Sequence, residues 1–283
     1  MSDLGIVDYS TGEIVGGLNY GDVITSQEEL QRRSKEKKKR LERETYSRNM
    51  KEKFFFIRSN TRFEPLSTAS LARLVYLNTF SNYHGRLMIT ERTPMRREDL
   101  SNILRLGRTA TNVFWAEVSP EYVIEDEQGN LLVNQAWFLR GRMKRKQFCQ
   151  YQKIFDVGVR KLYISVNGRT HKHLGYIFSL LPFINVEYNL LCYNPYESCI
   201  DSVKLMSIAE FCECIEYSVN HVDRLLKIYN SITFEVNGRQ ERFCTITYNG
   251  INKHNAKICV NPHVFYIGHN FEAVKIIGAF CRE

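Results

Sequence analysis

Residues Arg96 to Gly141 read RREDLSNILRLGRTATNVFWAEVSPEYVIEDEQGNLLVNQAWFLRG and decide the fold. The first part has apolar residues at helical spacing, namely Leu100, Ile103, Leu104 and Leu106. Gly107 follows them, and we expect it to end this helix as a glycine in a left-handed conformation. A second helix is predicted to begin at Arg108, with a polar start and an apolar second half.

Two extended runs follow Pro120 and flank a turn at Gln128-Gly129. They cover 122–126 and 130–134, and their pairing would form a two-stranded ribbon. Two short helices, a tight turn and a ribbon are the layout of a winged helix. A supporting helix with its N-cap at Ser67 or Thr68 precedes them, so the sequence predicts an α+β fold.

The second helix is the candidate for reading DNA bases. In a helix-turn-helix this helix lies in the major groove, where its N-terminal residues meet base edges. Arginine suits guanine there and asparagine suits adenine. The side chains that we expect to reach bases are Arg108, Thr109, Thr111 and Asn112. We expect Val113, Phe114 and Trp115 to face partly inward and hold the helix to its domain.

Charged residues beside this unit have two interpretations. Arg96 and Arg97 open the first helix, where cations are mildly unfavourable for the helix dipole. They are either ordinary exposed charges or contacts to backbone phosphates. The tip of the ribbon, Glu125-Asp126-Glu127, is acidic and would be repelled by phosphates, which argues against a DNA contact by this element.

The second half of the chain repeats the first, in the same order and with growing offsets. Apolar positions of the supporting helix recur at an offset of 103, as in Leu71 and Leu174. Those of the helix pair recur at 111, and the pattern V-N-x3-F-x2-G recurs at 127, from Val133 and from Val260. We therefore predict two tandem winged helices, the second with eight extra residues before its helix pair and sixteen in its wing.

The second copy has its own candidates for DNA contact. Asn237-Gly238 between two β-like runs predicts a hairpin in the enlarged wing. The helix equivalent to the reading helix has Val219 where the first copy has Arg108, so base reading by the second copy is less expected. Its candidate contacts are Asn220, His221, Arg224 and Lys253.

The net charge of +8 is unevenly placed. Residues 1–26 carry four acids and no base, while residues 27–53 carry eleven bases and six acids. Residues 140–153 carry six bases and no acid, and residues 154–283 balance at 13 bases against 12 acids. Two basic segments of this kind suit contacts with a polyanion.

These observations divide the chain into five parts. Residues 1–25 form a hairpin or mobile leader, and residues 26–53 a basic helical arm, either a solvated helix or a contact to phosphates. Residues 54–141 and 154–283 are the two winged helices. Residues 142–153 form a basic linker, and its candidate phosphate contacts are Arg142, Lys144, Arg145 and Lys146.

No motif for catalysis stands out, so we expect neither an enzyme nor a cofactor. Phosphate-cradling glycine loops are missing. His171 and His173 open a predicted helix, where we expect exposed polar residues and no metal site. Cys212 and Cys214 would point to different helix faces. The eight cysteines are expected to be reduced thiols of a cytoplasmic protein, and no run is long enough to span a membrane.

The Met95–Val118 unit, with its V-N-x3-F-x2-G exit, resembles replication and regulatory proteins of phages and plasmids in low-GC Gram-positive bacteria. Tandem winged helices with a basic joint also resemble the replication initiators of iteron plasmids. The resemblance covers roughly Phe54 to Gly141. It implies a double-stranded DNA-binding protein that recognises an origin or operator through the helix from Arg108.

Three functions stay open at this stage: a replication initiator, a transcription regulator of a mobile element, and an adaptor whose winged helices bind protein. The first two share the same DNA-binding parts and would differ in whether they engage host replication or host transcription proteins. A homodimer is open as well. Fold alone does not separate these classes.

The basic linker generates a first prediction. Replacing Arg142, Lys144, Arg145 and Lys146 with alanine should weaken binding to all duplexes alike and flatten the dependence of affinity on salt. The reason is counterion release, with a slope of about 0.9 per phosphate contact on B-DNA. Titrations of duplex DNA over a series of salt concentrations measure the slope; an unchanged slope would mean that the linker is only a solvated joint.

Overall fold

The structure is a computed structural model. It describes residues 5–7, 14–17, 29, 31–34, 53–59, 63, 66–141, 150–236, 238–248, 253–266, 268 and 274. The chain divides into two compact units, Met1–Arg48 and Asn49–Glu283. The first unit contains an antiparallel hairpin of β1 (Gly5–Val7) and β2 (Ile14–Gly17), where the sequence predicts a hairpin or mobile leader. Residues 31–34 are helical, as expected for the basic arm.

The second unit is α+β, as predicted, and holds both copies of the repeat. The elements of the first copy are β3 (Phe54–Arg58), α1 (Thr68–Asn78), α2 (Leu100–Leu104), α3 (Arg108–Val118), β4 (Val123–Glu125), β5 (Leu131–Val133) and β6 (Phe138–Leu139). Ser67 caps α1 by accepting a hydrogen bond from the Ser70 N–H, as the sequence indicates. The buried face of α1 supplies the centre of the core.

The second copy repeats this order with additions. Its elements are β7 (Tyr151–Phe155), α4 (Asp156–Ile164), α5 (His171–Phe178), α6 (Ile208–Cys214), α7 (Val222–Ser231), β8 (Thr233–Val236), β9 (Arg239–Arg242), β10 (Cys244–Thr247) and β11 (Lys257–Val260). Among the described residues of the first copy, no helix corresponds to α4. The hairpin predicted around Gly238 is confirmed as β8–β9, which precedes the β10–β11 pair that corresponds to β4–β5.

Backbone hydrogen bonds reproduce the repeat in detail. The Leu87 N–H donates to the Leu131 carbonyl at 2.8 Å, and the Leu191 N–H donates to the Ile258 carbonyl at 2.9 Å. These four residues correspond at offsets of 104 and 127, which continue the series seen in the sequence. Leu71 and Leu174 lie on α1 and α5, which occupy the same place in the two copies.

The turn between α2 and α3 corrects one prediction. The left-handed residue after α2 is Arg105, with φ of 54°, whereas Gly107 is the N-cap of α3 with φ of −72°. In the second copy the same place is taken by Glu216, with φ of 58°. Gly107 therefore starts the second helix and does not end the first.

A local twofold axis relates the copies. Strands β3 and β7 pair antiparallel, and Phe56 lies opposite Lys153. Ile57 pairs with Phe138 of β6, which follows the ribbon of the first copy, and Ile154 bridges Phe265 in the same way. Because Ile57 corresponds to Ile154, Phe56 corresponds to its own partner Lys153. An antiparallel pair centred on equivalent residues has a twofold axis at its centre, as in an isologous dimer interface.

Helices α1 and α5 are equivalent by the repeat and pack against each other beside this sheet. The approach is close at Gly175, where an added Cβ would lie 1.7 Å from the Thr68 carbonyl oxygen. Ala72 holds the corresponding place on α1 and is fully buried. Small side chains at both places let the two backbones meet.

Two further predictions change at the junction of the copies. Residues 151–153, assigned to the basic linker, belong to β7, because their backbone pairs with β3. Residues 142–149 lie outside the described part. His171 is buried and not exposed: its Nδ1 accepts a 3.5 Å hydrogen bond from Arg73, and its ring lies 4.2 Å from the ring of Tyr163.

The contact at Gly175 generates a second prediction. Gly175→Ala should lower the free energy of unfolding by about 1–3 kcal/mol. We expect a value near the upper end of this range, because the new methyl group meets backbone and not a movable side chain. Gly107→Ala is the matched control, since nothing lies within 4 Å of its Cβ; losing a glycine N-cap should cost about 1 kcal/mol or less. Urea unfolding measures both, and equal losses would argue against the close approach.

The burial of His171 generates a third prediction. Desolvation and the charge of Arg73 lower the pKa of His171 from 6.5 to about 4. The unfolded chain then binds more protons than the folded chain at this residue. The contribution of His171 to the free energy of unfolding is therefore fully present above pH 6.5 and is lost as the pH drops towards 4. His171→Gln should remove this part of the slope, at most about 1.4 kcal/mol per pH unit. Unfolding curves from pH 4 to 7 test it, and a slope in the His171→Gln variant equal to that of the wild type would contradict it.

Candidate nucleic-acid interface

Helix α3 presents an exposed stripe at helical spacing. Thr109, Asn112, Val113 and Ala116 are exposed and succeed one another along one face. Helix α3 is described in full, and its one acidic residue, Glu117, is half-buried and accepts a 2.9 Å hydrogen bond from the Ser67 N–H. The exposed face therefore consists of small, uncharged side chains, where surface helices usually carry lysine and glutamate.

The opposite face of α3 holds the helix in place. Phe114 and Val118 are fully buried. Thr111 is buried as well, and its hydroxyl donates to the Gly107 carbonyl at 3.1 Å. The prediction that Thr111 reaches bases is therefore wrong, because this side chain is used inside the protein.

Of the three residues predicted to face inward, Val113, Phe114 and Trp115, one faces outward. Val113 is 51% exposed and lies on the stripe, whereas Phe114 is buried and Trp115 half-buried as expected. Each residue adds a rotation of about 100°, so an error of one residue in helical phase moves a side chain to a different face of α3.

Arginines surround the start of α3. Arg108 is exposed in the first turn, and Arg105 is exposed in the preceding turn. The first turn of α3 has no acidic residue and its N-cap, Gly107, has no side chain to satisfy the N–H groups there. Free N–H groups and the positive end of the helix dipole favour an anion at this end.

Arg96 and Arg97 lie exposed before α2, beside two acids. The Arg96 N–H donates to the Asp99 carboxylate at 2.8 Å. The guanidinium of Arg97 lies 5.2 Å from the centre of the Trp115 ring, a cation–π contact that keeps this charge next to α3. The charge of Arg97 is thus held beside the stripe.

The acidic tip of the β4–β5 ribbon has a structural cause. The carboxylate of Asp126 accepts hydrogen bonds from the Asn130 amide and from the backbone N–H groups of Asn130 and Gln128. These bonds, with that of the Asn130 side chain as the largest cause, lower the pKa of Asp126. Asp126 closes the turn, and Glu125 and Glu127 stay exposed beside it.

The second copy offers a different surface at the equivalent place. Asn220 and His221 are exposed in a 3-10 turn before α7, and Arg224 is exposed on α7 itself. Lys253, from the loop between β10 and β11, lies 3.6 Å from the carboxylate of Asp223. The structure thus brings the predicted contacts of the second copy together, but with an acid among them.

The two copies differ in charge more than the net charge of the chain suggests. Residues 83–112 carry six bases and three acids, whereas the corresponding residues 187–223 carry one base and seven acids. Around the stripe, Glu216 replaces Arg105 and Asp223 replaces Asn112. The sequence balance of residues 154–283 conceals this block, and counting charges by repeat position would have revealed it.

Other predicted features lie elsewhere or outside the described residues. The four basic linker residues, 142 and 144–146, are outside them. In the part of the chain that the structure describes, no group of three or more His, Cys, Asp or Glu residues could hold a metal ion. The six cysteines described there are free thiols, and four of them, Cys192, Cys212, Cys244 and Cys259, are buried.

Comparisons with known proteins give no family assignment. No protein-family model, curated protein or solved structure matches this chain. Across the described residues, none of the helices combines the length and apolar character that crossing a membrane requires.

Proposed function

We propose that this chain is a sequence-specific double-stranded DNA-binding protein, built from two winged-helix copies, in which α3 reads the bases. The observation that carries the proposal is the exposed stripe of Thr109, Asn112, Val113 and Ala116, with no exposed acid on α3. Asparagine can bind adenine through two hydrogen bonds, and the methyl groups of valine and alanine suit the thymine methyl.

The surroundings of the stripe support the same function. Arg105 and Arg108 border its start, and Arg97 is held beside it by Trp115. Such arginines can bind phosphates on both sides of a groove and fix the position of the helix, while the stripe supplies sequence preference.

By the repeat, α7 is the counterpart of α3. Dimeric helix-turn-helix proteins use two such helices on two half-sites. Here Glu216 and Asp223 face the second position, so we assign base reading to the first copy and at most a weak contact to Asn220, His221 and Arg224.

Within this class we propose an origin-binding protein of a mobile element, similar to replication initiators. This narrower role rests on the tandem arrangement and the basic joint. A phage or plasmid transcription regulator is the alternative with the same DNA-binding parts. The position of the bound sequence, in an origin or at a promoter, distinguishes the two.

The stripe generates a fourth prediction. Asn112→Ala should lower affinity for the preferred duplex by about 1–3 kcal/mol and relax the preference at one base position, because a bidentate contact is lost. The melting temperature should be unchanged, since Asn112 is exposed. Selection from random duplex DNA, followed by titration of the selected sequence, measures both effects.

Asn230→Ala is the matched control, because Asn230 is an exposed asparagine of α7 outside the first copy. It should leave both affinity and preference unchanged. If Asn112→Ala keeps the wild-type sequence preference and affinity, α3 is not the reading helix. If the wild-type protein selects no duplex at all, the DNA-binding proposal itself fails.

A further inference from the structure

The second copy carries a loop that the first copy lacks, Tyr193–Leu205, here called the insertion loop. The corresponding segment of the first copy, between Met88 and Pro94, has five residues, whereas twelve lie between Cys192 and Leu205. Four large apolar side chains of the insertion loop are between 42% and 52% exposed, namely Tyr193, Tyr196, Ile200 and Leu205. A group of this kind on one loop marks an interaction surface.

The base of the insertion loop is closed by hydrogen bonds. The Tyr193 N–H donates to the Lys204 carbonyl at 2.9 Å, and the Lys204 N–H donates to the Asn194 side chain at 2.8 Å. The Asn194 amide also donates to the Ser202 carbonyl at 2.9 Å. The two ends of the loop therefore lie side by side, as in a compact Ω-loop.

The middle of the insertion loop is fixed from the body of the protein. The Asn185 amide donates to the Glu197 carbonyl at 2.9 Å, and the Tyr188 hydroxyl donates to the Ser198 carbonyl at 2.8 Å. Asn185 is fully buried, so the contact is anchored in the core. The exposed apolar side chains thus stand on an ordered frame, which reduces the entropy lost when a partner binds.

Acids outnumber bases around this surface. Residues 187–223 contain a single base, Lys204, and seven acids. A second base, Lys257 of β11, lies at its edge and donates to the Leu205 carbonyl at 3.3 Å. Desolvation and the neighbouring carboxylates of Glu210 and Glu213 raise the pKa of Tyr193. At the other end, Asp201 lies in the 3-10 turn of the loop itself and is exposed.

This charge decides which partner fits. DNA, RNA and anionic lipid surfaces would all be repelled by the acids. A second copy that docks the same surface against itself would place acids against acids, because an isologous contact pairs each patch with its own image. A protein segment with positive charges avoids both conflicts, and tyrosines are frequent anchors of protein interfaces.

We propose that the insertion loop, with the acids around it, is a docking surface for a protein segment that carries lysine or arginine beside apolar or aromatic side chains. The apolar anchors would cover Tyr196, Ile200 and Leu205, and the cations would pair with Asp201 and Glu213. This surface does not depend on base reading by α3. It gives the second copy a role in recruiting protein while the first copy holds DNA.

The test uses the full-length chain and a phage-displayed library of random peptides. Two double variants remove the two parts of the surface: Ile200→Ser with Leu205→Ser, and Asp201→Lys with Glu213→Lys. The matched controls are Ile164→Ser, at an apolar residue that is 51% exposed on α4, and Glu127→Lys, at an exposed acid of the first copy. Melting temperatures verify that all variants fold.

The expected result is a set of enriched peptides with positive charge and apolar or aromatic residues. Their dissociation constants, from fluorescence anisotropy, should rise at least about tenfold in both double variants and stay unchanged in both controls. The charge variant should also lose most of the dependence on salt. A double variant that fails to fold is replaced by its single substitutions, Leu205→Ser or Asp201→Lys.

Several outcomes would overturn the proposal. These are no enriched peptide, enriched peptides without positive charge, or binding that neither double variant weakens. A dimer in sedimentation velocity that the Ile200→Ser, Leu205→Ser variant abolishes would assign the surface to a second copy. Loss of duplex binding in this variant would assign it to DNA. The selection of duplex DNA is read separately, so either proposal can fail alone.

Discussion

The antiparallel pairing of β3 with β7 is the constraint on which the described second unit depends. Main-chain hydrogen bonds join one copy to the other there, and the register opposes Phe56 to its counterpart Lys153. The pairing sets a local twofold axis, and α1 and α5 can only pack across it because Gly175 leaves room for the Thr68 carbonyl. Helices α3 and α7, which are equivalent by the repeat, lie in the two copies that this pairing joins.

A buried ion pair lies at the same junction. The guanidinium of Arg140, at the end of the first copy, donates two hydrogen bonds of 2.9 and 3.0 Å to the carboxylate of Asp156 at the start of α4. Both side chains are less than a tenth exposed. Removing one partner of such a pair costs about 3–5 kcal/mol, because a buried charge is left alone. The junction is therefore built as the interior of one unit, although its sequence resembles a basic linker.

Predictions from local patterns succeeded where one element decides the outcome. Helical spacing and the repeat predicted α1, α2 and α3, and the Asn-Gly turn predicted β8–β9. Predictions failed where contacts between copies decide. His171 is buried because α5 packs on α1, and residues 151–153 are a strand because β3 pairs with them. Arg105 takes the left-handed turn that glycine usually fills, which no residue preference indicates.

The candidate interface shows the same division. Arg108, Thr109 and Asn112, which were predicted to reach bases, are exposed, and their contact with bases stays a prediction. A one-residue difference in helical phase moved Thr111 inward and Val113 outward, and packing of Phe114 fixes that phase. Periodicity alone does not determine a helix face to within one residue.

The acidic ribbon tip bears on how the first copy would hold DNA. Asp126 accepts the hydrogen bonds that close the β4–β5 turn, so its charge is part of the ribbon and not an adaptation to a partner. Exposed Glu125 and Glu127 add to it, and phosphates would be repelled from this edge. The ribbon instead stabilises the fold of the first copy, since the Leu131 N–H donates to the Met95 carbonyl just before α2. On the proposed DNA-binding function, contact with a duplex in the first copy would accordingly fall to α3 and the arginines around its start.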